Sequence, residues 1–400
     1  MVRMVMSSEP EKPLLSQSKI IPLSEPSFGG NEWSYLKECL DTNWVSSEGP
    51  FVERFETEVA DYLGLPHAIA TCNGTAALHM ALKVTGVLPN EEVIVPALTF
   101  IAPANAVRYV GAYPVFIDVD PCFWQIDPQK LTDFIKEGSL WEESVLYNRR
   151  THRRIRAILP VHCLGHPVEL DPILEIAKRY ELTVIEDIAE GLGAKYKERL
   201  VGTFGDIACL SFNGNKIITS GGGGMVVTRN SRWAAKVRYL TTQAKDDPLE
   251  YVHREIGYNY RLTNLQAAVG VAQMERLERH IQRKREISQC YRESLKENGL
   301  FVFREAEWAK SIYWLNAVRI EERVFGLNRH QVMAVLHHQG IGARPLWHPL
   351  PRLMPFADCD RFGTEVADRL YGTVLTLPSS VGLAHEDQDF VIATLLEAKQ

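Results

Sequence analysis

TFGDIACLSFNGNKIITSGGGG, residues 203–224, holds an apolar run, 207–212, that ends in the hydroxyl of Ser211, leads to Lys216 four residues after the run, and then reaches four consecutive glycines. The run reads as a buried strand, and the glycines let backbone come close to something flat or charged. Upstream, β-rich runs recur at 68–72, 92–96, 114–119, 155–161 and 182–187, and a further one follows at 224–228. Helical stretches such as TAALHMALKVTG and DPILEIAKRY separate them. Such alternation predicts an α/β fold: one mostly parallel, seven-stranded sheet covered on both faces, with ligands bound at the carboxyl ends of its strands.

Around this sheet the chain divides into three parts. Residues 1–19 are polar and aperiodic and read as a loose arm. Residues 20–262 form the large domain. At Thr263 the capping-box sequence Thr263-Asn264-Leu265-Gln266 opens a helical pattern that continues through Leu277, Ile281, Ile287, Tyr291 and Leu295 towards Gly299. It predicts one long linker helix leading into a small α+β domain, the two together spanning 263–400. A strand-like stretch at 313–320, a helix ending at Gly340 and the segment 341–346 make up that domain.

Three features fall at predicted strand ends. In Cys72-Asn73-Gly74-Thr75-Ala76-Ala77 a strand turns into a helix whose first amides, with the Thr75 hydroxyl, offer a phosphate site; taken alone it is also an ordinary helix cap. Ile185-Glu186-Asp187 puts two acids at the end of an apolar strand, where a carboxylate needs a cation or several donors. Asp187 reads either as a structural acid salted to an arginine or as the partner of a pyridinium nitrogen. Lys216 alone would be a solvated surface lysine, but its glycine-rich, apolar setting argues for a buried amine. Phosphate cradle, acid and lysine together are what pyridoxal 5'-phosphate requires. The glycine run fits neither the G-x-x-x-x-G-K-[ST] nor the G-x-G-x-x-G order of nucleotide loops.

Composition narrows the class. With 44 Lys+Arg against 50 Asp+Glu, the net charge of −6 gives no overall positive field for nucleic acid or anionic lipid. Arg149, Arg150, His152, Arg153, Arg154 and Arg156 make the most basic patch and read as a solvated loop, with a substrate diphosphate as the functional alternative. Seven dispersed cysteines without a C-x-x-C pair point to a reducing cytoplasm, and no apolar stretch approaches a membrane span. His162, Cys163 and His166 lack a matching ligand set, so no metal is expected.

The stretches TCNGTAALHMAL, VPALTFIAPANAV, VHCLGHPVELDPI, VIEDIAEGLGA, TFGDIACLSFNGNKIIT and EIGYNYRLTNLQAAVG resemble the nucleotide-sugar aminotransferases of the DegT/DnrJ/StrS type, from about Ile20 to near the carboxyl end. The resemblance implies an aspartate-aminotransferase-like fold of type I, pyridoxal phosphate as cofactor, and a homodimer with shared active sites. It makes Lys216 the Schiff-base lysine and Asp187 the partner of the pyridine nitrogen. Gly74, Thr75 and Ser211, with Asn213 beside them, would hold the phosphate. Phe100 would stack on the ring; it also reads as a plain core aromatic. Asn259 would reach the phosphate from the other subunit, with Arg261 a near rival and a candidate for substrate. Many relatives have Gln or His at the position of Glu190, whose carboxylate cannot donate to the ring oxygen unless protonated. Gly222 stands where a Glu is common. Relatives that eliminate water carry histidine in place of the lysine, so Lys216 argues for amine transfer.

For the substrate, the resemblance leans towards the subgroup that aminates C4 of a nucleotide-linked 4-keto-6-deoxy hexose, above all the UDP-linked N-acetyl sugars of the bacillosamine and legionaminic acid routes, with L-glutamate as amino donor. A perosamine-type or 3-keto-sugar enzyme is the runner-up, followed by a cofactor-binding regulator without turnover. Substrate contacts are expected at Trp44 in the turn to Gly49 and at Arg344, Trp347 and His348, since an arginine beside aromatics suits a diphosphate and a base.

Overall fold

The computed structural model describes residues 19–247, 249–296 and 299–399. Apart from Lys19, the predicted arm lies outside the described residues.

The large sheet runs in the order His67–Thr71, Gly224–Thr228, Ile207–Ser211, Thr183–Asp187, Ile155–Ile158, Glu92–Pro96, Tyr113–Ile117 and Asp360–Phe362. Pairing is parallel from Ile207–Ser211 to the far edge, whereas Gly224–Thr228 is antiparallel to both its neighbours. All seven expected strands are present, and the expected count is corrected by an eighth. Asp360–Phe362 is only three residues long, too short to show a period, and it arrives from far along the chain. Its place beside Tyr113–Ile117 is held by Asp360, which accepts from Asn148 Nδ2 at 2.6 Å and pairs with Arg150 at 2.6 Å.

The central strands are apolar on both faces because helices cover both. Val93, Ile94, Val95, Ile158, Ile185 and Leu210 are all buried. At roughly 1.5–3 kcal/mol for each fully buried aliphatic side chain, this core is what holds the strand ends in register beneath the cavity.

A second apolar cluster gathers Ile21, Ile287, Tyr291, Leu300, Val318, Ile320, Leu336, Leu375, Leu377 and Leu395. It packs around a four-stranded sheet ordered Leu300–Val302, Asn316–Ile320, Val374–Leu377, Arg344–Pro345. Leu346, Leu350, Phe356, Ala367 and Leu370 pack instead with the core of the large sheet. The helix Arg329–His338 stops before Gly340, whose φ of +74° is left-handed.

The single linker helix expected from Thr263 is in fact two, Asn264–Met274 and Leu277–Ser294. Thr263 and Gln266 do form the capping box. The break falls at Glu275 and Arg276, where Glu275 is drawn out to Asn31, Tyr35 and Arg54 at 2.6–3.1 Å. The apolar period persists across the break, so the sequence pattern hides it.

Candidate active site

One cavity of about 330 Å³ opens at the carboxyl ends of the sheet. Its floor is built by three strand ends. His67–Thr71 leads through Asn73 into the helix Gly74–Val84, and Asn73 Oδ1 caps that helix by accepting from the Ala76 amide at 2.8 Å. Gly74 and Thr75, its first two residues, line the cavity together with Ser211, the last residue of Ile207–Ser211. A Cβ on Gly74 would lie 2.8 Å from Ser211 Cβ, so only glycine lets the helix start close on the serine. Part of the glycine run is explained the same way: a Cβ on Gly224 would meet the Asn73 backbone at 2.4 Å, so what comes close there is the chain itself.

Asp187 ends the strand Thr183–Asp187 and is 3% exposed. Its Oδ1 accepts from the Ala189 amide at 2.9 Å. Burial pushes the carboxyl pKa up, partly opposed by the Ala189 amide and the Lys216 charge. Glu186 points the other way and is fully satisfied: it accepts from the amides of Gly202, Phe204 and Gly205 at 2.6–2.9 Å and lies 3.1 Å from His162 Nε2. Because His162 Nδ1 accepts from the Val168 amide at 3.0 Å, the ring proton is on Nε2 and is donated to Glu186. Burial alone would raise the Glu186 pKa; the His162 bond and the amides outweigh it and bring it down.

Lys216 follows Ser211 through the turn Asn213–Lys216, closed by the Lys216 amide donating to the Asn213 carbonyl at 3.0 Å. Its amine lies 3.5 Å from Glu190 Oε1 and 4.2 Å from the centre of the Trp314 ring. Glu190 is 5% exposed, and its Oε2 accepts from the Leu164 amide at 2.8 Å. Burial raises the Glu190 carboxyl, with Lys216 opposing. Phe100 also lines the cavity and stays 53% exposed, so it is an open aromatic platform and not a core residue.

Of the residues singled out in the sequence, the cavity brings together Gly74, Thr75, Phe100, Asp187, Glu190, Ser211, Asn213, Lys216 and Trp347. The others lie off its wall. Arg261 is one of them: its guanidinium lies 3.0 Å from Glu56 Oε1 and 3.4 Å from the Ala70 carbonyl. Trp44 is half-exposed, and its carbonyl accepts from Asn264 Nδ2 at 2.8 Å. Arg344 is exposed and donates to the Ala343 carbonyl, and the His348 ring packs on Tyr371 at 4.8 Å. Asn259 is exposed and bridges to Thr242. The basic stretch is not a free loop: Arg150, Arg153 and Arg154 pair with Asp360, Glu92 and Glu91. Trp314, Thr99, Asn73 and Asn215 line the cavity and were not singled out. Trp314 sits at the start of the strand-like stretch 313–320, where an aromatic reads as core.

The residues present fit pyridoxal phosphate. A helix start and a hydroxyl meet at one end, where a Cβ would fill the gap. A buried carboxylate, an open aromatic face and an amine stand along the rest of the cavity. All seven cysteines are free, and among the described residues there is no group of ligating side chains able to hold a metal. No described helix is long and apolar enough to cross a membrane.

Comparison with known proteins agrees with this chemistry. Residues 26–396 match the profile of the DegT/DnrJ/EryC1/StrS aminotransferase family. The chain is 41% identical to the GDP-perosamine synthase of Caulobacter vibrioides, over 94% of this chain and 97% of that protein. It is 37% identical to the GDP-perosamine synthase of Escherichia coli O157:H7, covering 95% and 98%. These relatives shift the expected emphasis away from the bacillosamine and legionaminic acid enzymes. Among solved structures, a DegT DnrJ EryC1 StrS aminotransferase from Brucella abortus superposes with a TM-score of 0.83 at 29% identity, covering 92% of this chain and 95% of that one. The fold is accordingly pyridoxal-phosphate fold type I. The chain belongs to the DegT/DnrJ/EryC1/StrS aminotransferase family and is a pyridoxal-phosphate-dependent transaminase.

Proposed function

We propose that this transaminase moves an amino group from L-glutamate to C4 of a nucleotide-linked 4-keto-6-deoxy sugar, and that the nucleotide is guanosine diphosphate. The observation that carries the sugar and nucleotide is the 41% identity, over nearly the whole of both chains, to a GDP-perosamine synthase. A UDP-linked N-acetyl hexose is the second reading, favoured by the sequence stretches 211–219 and 241–270.

Bound here, the cofactor supplies an electron sink that stabilises negative charge on the carbon next to the migrating nitrogen. The protein does the rest. The first turn of Gly74–Val84, with Ser211, would anchor the phosphate end, and Phe100 would cover one face of the ring. The Asp187 carboxylate, with Oδ1 fixed by the Ala189 amide, would face the ring nitrogen and favour its protonated form. Lys216 would hold the cofactor through its Nζ, and the same amine is the group placed to carry a proton to and from the substrate carbon. Glu190, 3.5 Å from that amine, is its nearest acid and holds or releases a proton as Lys216 needs it.

In this reading the enzyme works as a homodimer with shared active sites. Asn259, exposed and outside the cavity of its own chain, would reach the partner's phosphate end. The exposed Phe28, Trp33, Leu40 and Trp44 supply apolar surface for such pairing.

The test is an absorbance titration with pyridoxal phosphate, then L-glutamate, beside Lys216→Ala. It is followed by mass analysis of products from GDP-linked and UDP-linked 4-keto-6-deoxy sugars. Bleaching by glutamate and an amino sugar from the GDP substrate are expected. An amino product from the UDP sugar alone would overturn the nucleotide assignment, and failure of glutamate to bleach the band would overturn the donor.

A further inference from the structure

Trp314 is the residue on which three separate contacts converge around Lys216. Its ring lies 4.2 Å from the Lys216 amine. Its indole Nε1–H donates to the Asn215 carbonyl at 2.6 Å, one residue before the lysine, so it grips the backbone of the same turn. Its own carbonyl accepts from the buried Lys284 amine at 2.8 Å, and that amine also donates to the Ser379 carbonyl at 2.6 Å. Ser379 follows the strand Val374–Leu377 of the second sheet.

The local backbone is set for this. Tyr313, just before Trp314, has a left-handed φ of +48°, a conformation that is strained for a non-glycine residue and persists only where neighbours impose it. They do: the Tyr313 amide donates to Ser311 Oγ at 3.0 Å, and Ser311 Oγ donates to the Gly165 carbonyl at 2.9 Å. Gly165 itself is wedged in. A Cβ there would meet the Trp314 amide at 2.8 Å and the Glu190 carbonyl at 3.1 Å. The turn that carries Leu164, whose amide holds Glu190, is therefore packed directly against the segment that carries Trp314. Both groups that touch the Lys216 amine are set from this one contact.

We propose that Trp314 is a positioning residue for Lys216, holding the amine by its ring face and the preceding backbone by its N–H, with Lys284 tying it to the second sheet. The seating of that sheet then sets where the amine stands between Glu190 and the open cavity. A cation over an indole face gains about 0.5–2 kcal/mol, which is about twofold to thirtyfold in how often the amine occupies that place. The inference rests on Lys216 being the lysine that carries the cofactor.

The experiment uses the full chain loaded with pyridoxal phosphate, as wild type, Trp314→Phe, Trp314→Leu and Lys284→Met. Borohydride trapping and peptide mapping come first: if the wild type does not trap at Lys216, the underlying assignment of the lysine fails, independently of Trp314. Far-UV circular dichroism and the thermal midpoint establish which variants are folded. The readouts are the visible circular dichroism of the bound cofactor, which reports its orientation, and the single-turnover rate and half-saturation with L-glutamate. Trp314→Leu is expected to lose at least about half the visible band and to slow the single turnover about tenfold, with half-saturation changed less than about threefold. Trp314→Phe, which keeps a ring face, should recover most of both. Lys284→Met, with the indole intact, should weaken the visible band in the same direction. A folded Trp314→Leu protein with wild-type band and rate overturns the proposal, as does a Trp314→Phe protein as impaired as Trp314→Leu.

Discussion

Glu190 Oε1 stands 3.5 Å from Lys216 Nζ, and its other oxygen is held at 2.8 Å by the amide of Leu164, a residue with a left-handed φ of +58°. The carboxylate is thus fixed from behind and presented to the amine. Burial raises its pKa, so it titrates in the folded enzyme where an amide would not. Glu190→Gln should keep the fold, because its carbonyl can still accept from Leu164, and should change stability by less than about 1 kcal/mol. The limb that Glu190 contributes to the pH profile of the glutamate half-reaction should disappear. Stopped-flow rates across pH check this, and an unchanged profile would remove Glu190 from proton handling.

Asp187 differs from Glu190 in having no paired cation at contact distance among the described residues; one backbone amide holds it. Asp187→Asn keeps that hydrogen bond and removes the negative charge needed opposite the ring nitrogen. Cofactor should still bind, while the half-reaction slows by about 100-fold or more. Absorbance-monitored binding alongside single-turnover rates separates the two effects.

The closeness of Gly74 to Ser211 predicts a second kind of loss. Gly74→Ala forces a Cβ to 2.8 Å from Ser211 Cβ and must push the helix start away from the strand. Overpacking of this order costs about 1–3 kcal/mol, here spent mainly on the phosphate cradle, so affinity for pyridoxal phosphate should fall about tenfold. Gly214→Ala, with nothing within 4 Å of the added Cβ, is the control and should bind normally.

Glu186 accepts three backbone amides and the His162 proton from a wholly buried position. Glu186→Ala leaves all four donors unmet and should destabilise the protein by about 3 kcal/mol or more. Because the folded pKa of Glu186 lies below its ordinary value, its contribution is complete above the unfolded pKa and is lost as pH falls through the folded one. Denaturant midpoints should therefore show the largest gap between wild type and variant at neutral pH, narrowing in acid.

Lys284 also makes stability rise with pH, but as a buried cation whose charged form opposes folding. Burial pulls its pKa from 10.5 down to about 7 in a setting that also holds His280, whose Nδ1 lies 3.2 Å from the Ile217 carbonyl. Between pH 7 and 10.5 the unfolded chain binds the proton that the folded chain has released, so this group favours folding increasingly as pH rises through that window. The stability of Lys284→Met relative to wild type should be most favourable near pH 7 and should decline towards pH 10. Thermal midpoints at matched ionic strength test it, and a difference independent of pH would mean that Lys284 is charged throughout.

How much of this was legible beforehand differs from element to element. The seven strands from His67 to Thr228 were readable because each is largely buried and so is a nearly continuous apolar run bounded by turn or helical sequence. The eighth, Asp360–Phe362, was not readable, because its three residues have no period and their partner is Tyr113–Ile117, some 240 residues away. The helix break at Glu275 was masked by an apolar pattern that continues past it.

The site divides in the same way. Lys216, Asp187, Gly74, Thr75 and Ser211 stand at the ends of apolar runs in the sequence; each alone also reads as ordinary structure, and only the three features together, with the family resemblance, point to pyridoxal phosphate. The sequence by itself therefore determined seven of the strands, their ends and the class of cofactor. Only the tertiary structure decided that Arg261 belongs to Glu56, that the arginines of 150–154 clamp neighbouring acids, and that Trp314 stands over Lys216. Each of these depends on where distant segments come to lie, and pairing across such distances is fixed by packing that no local periodicity encodes.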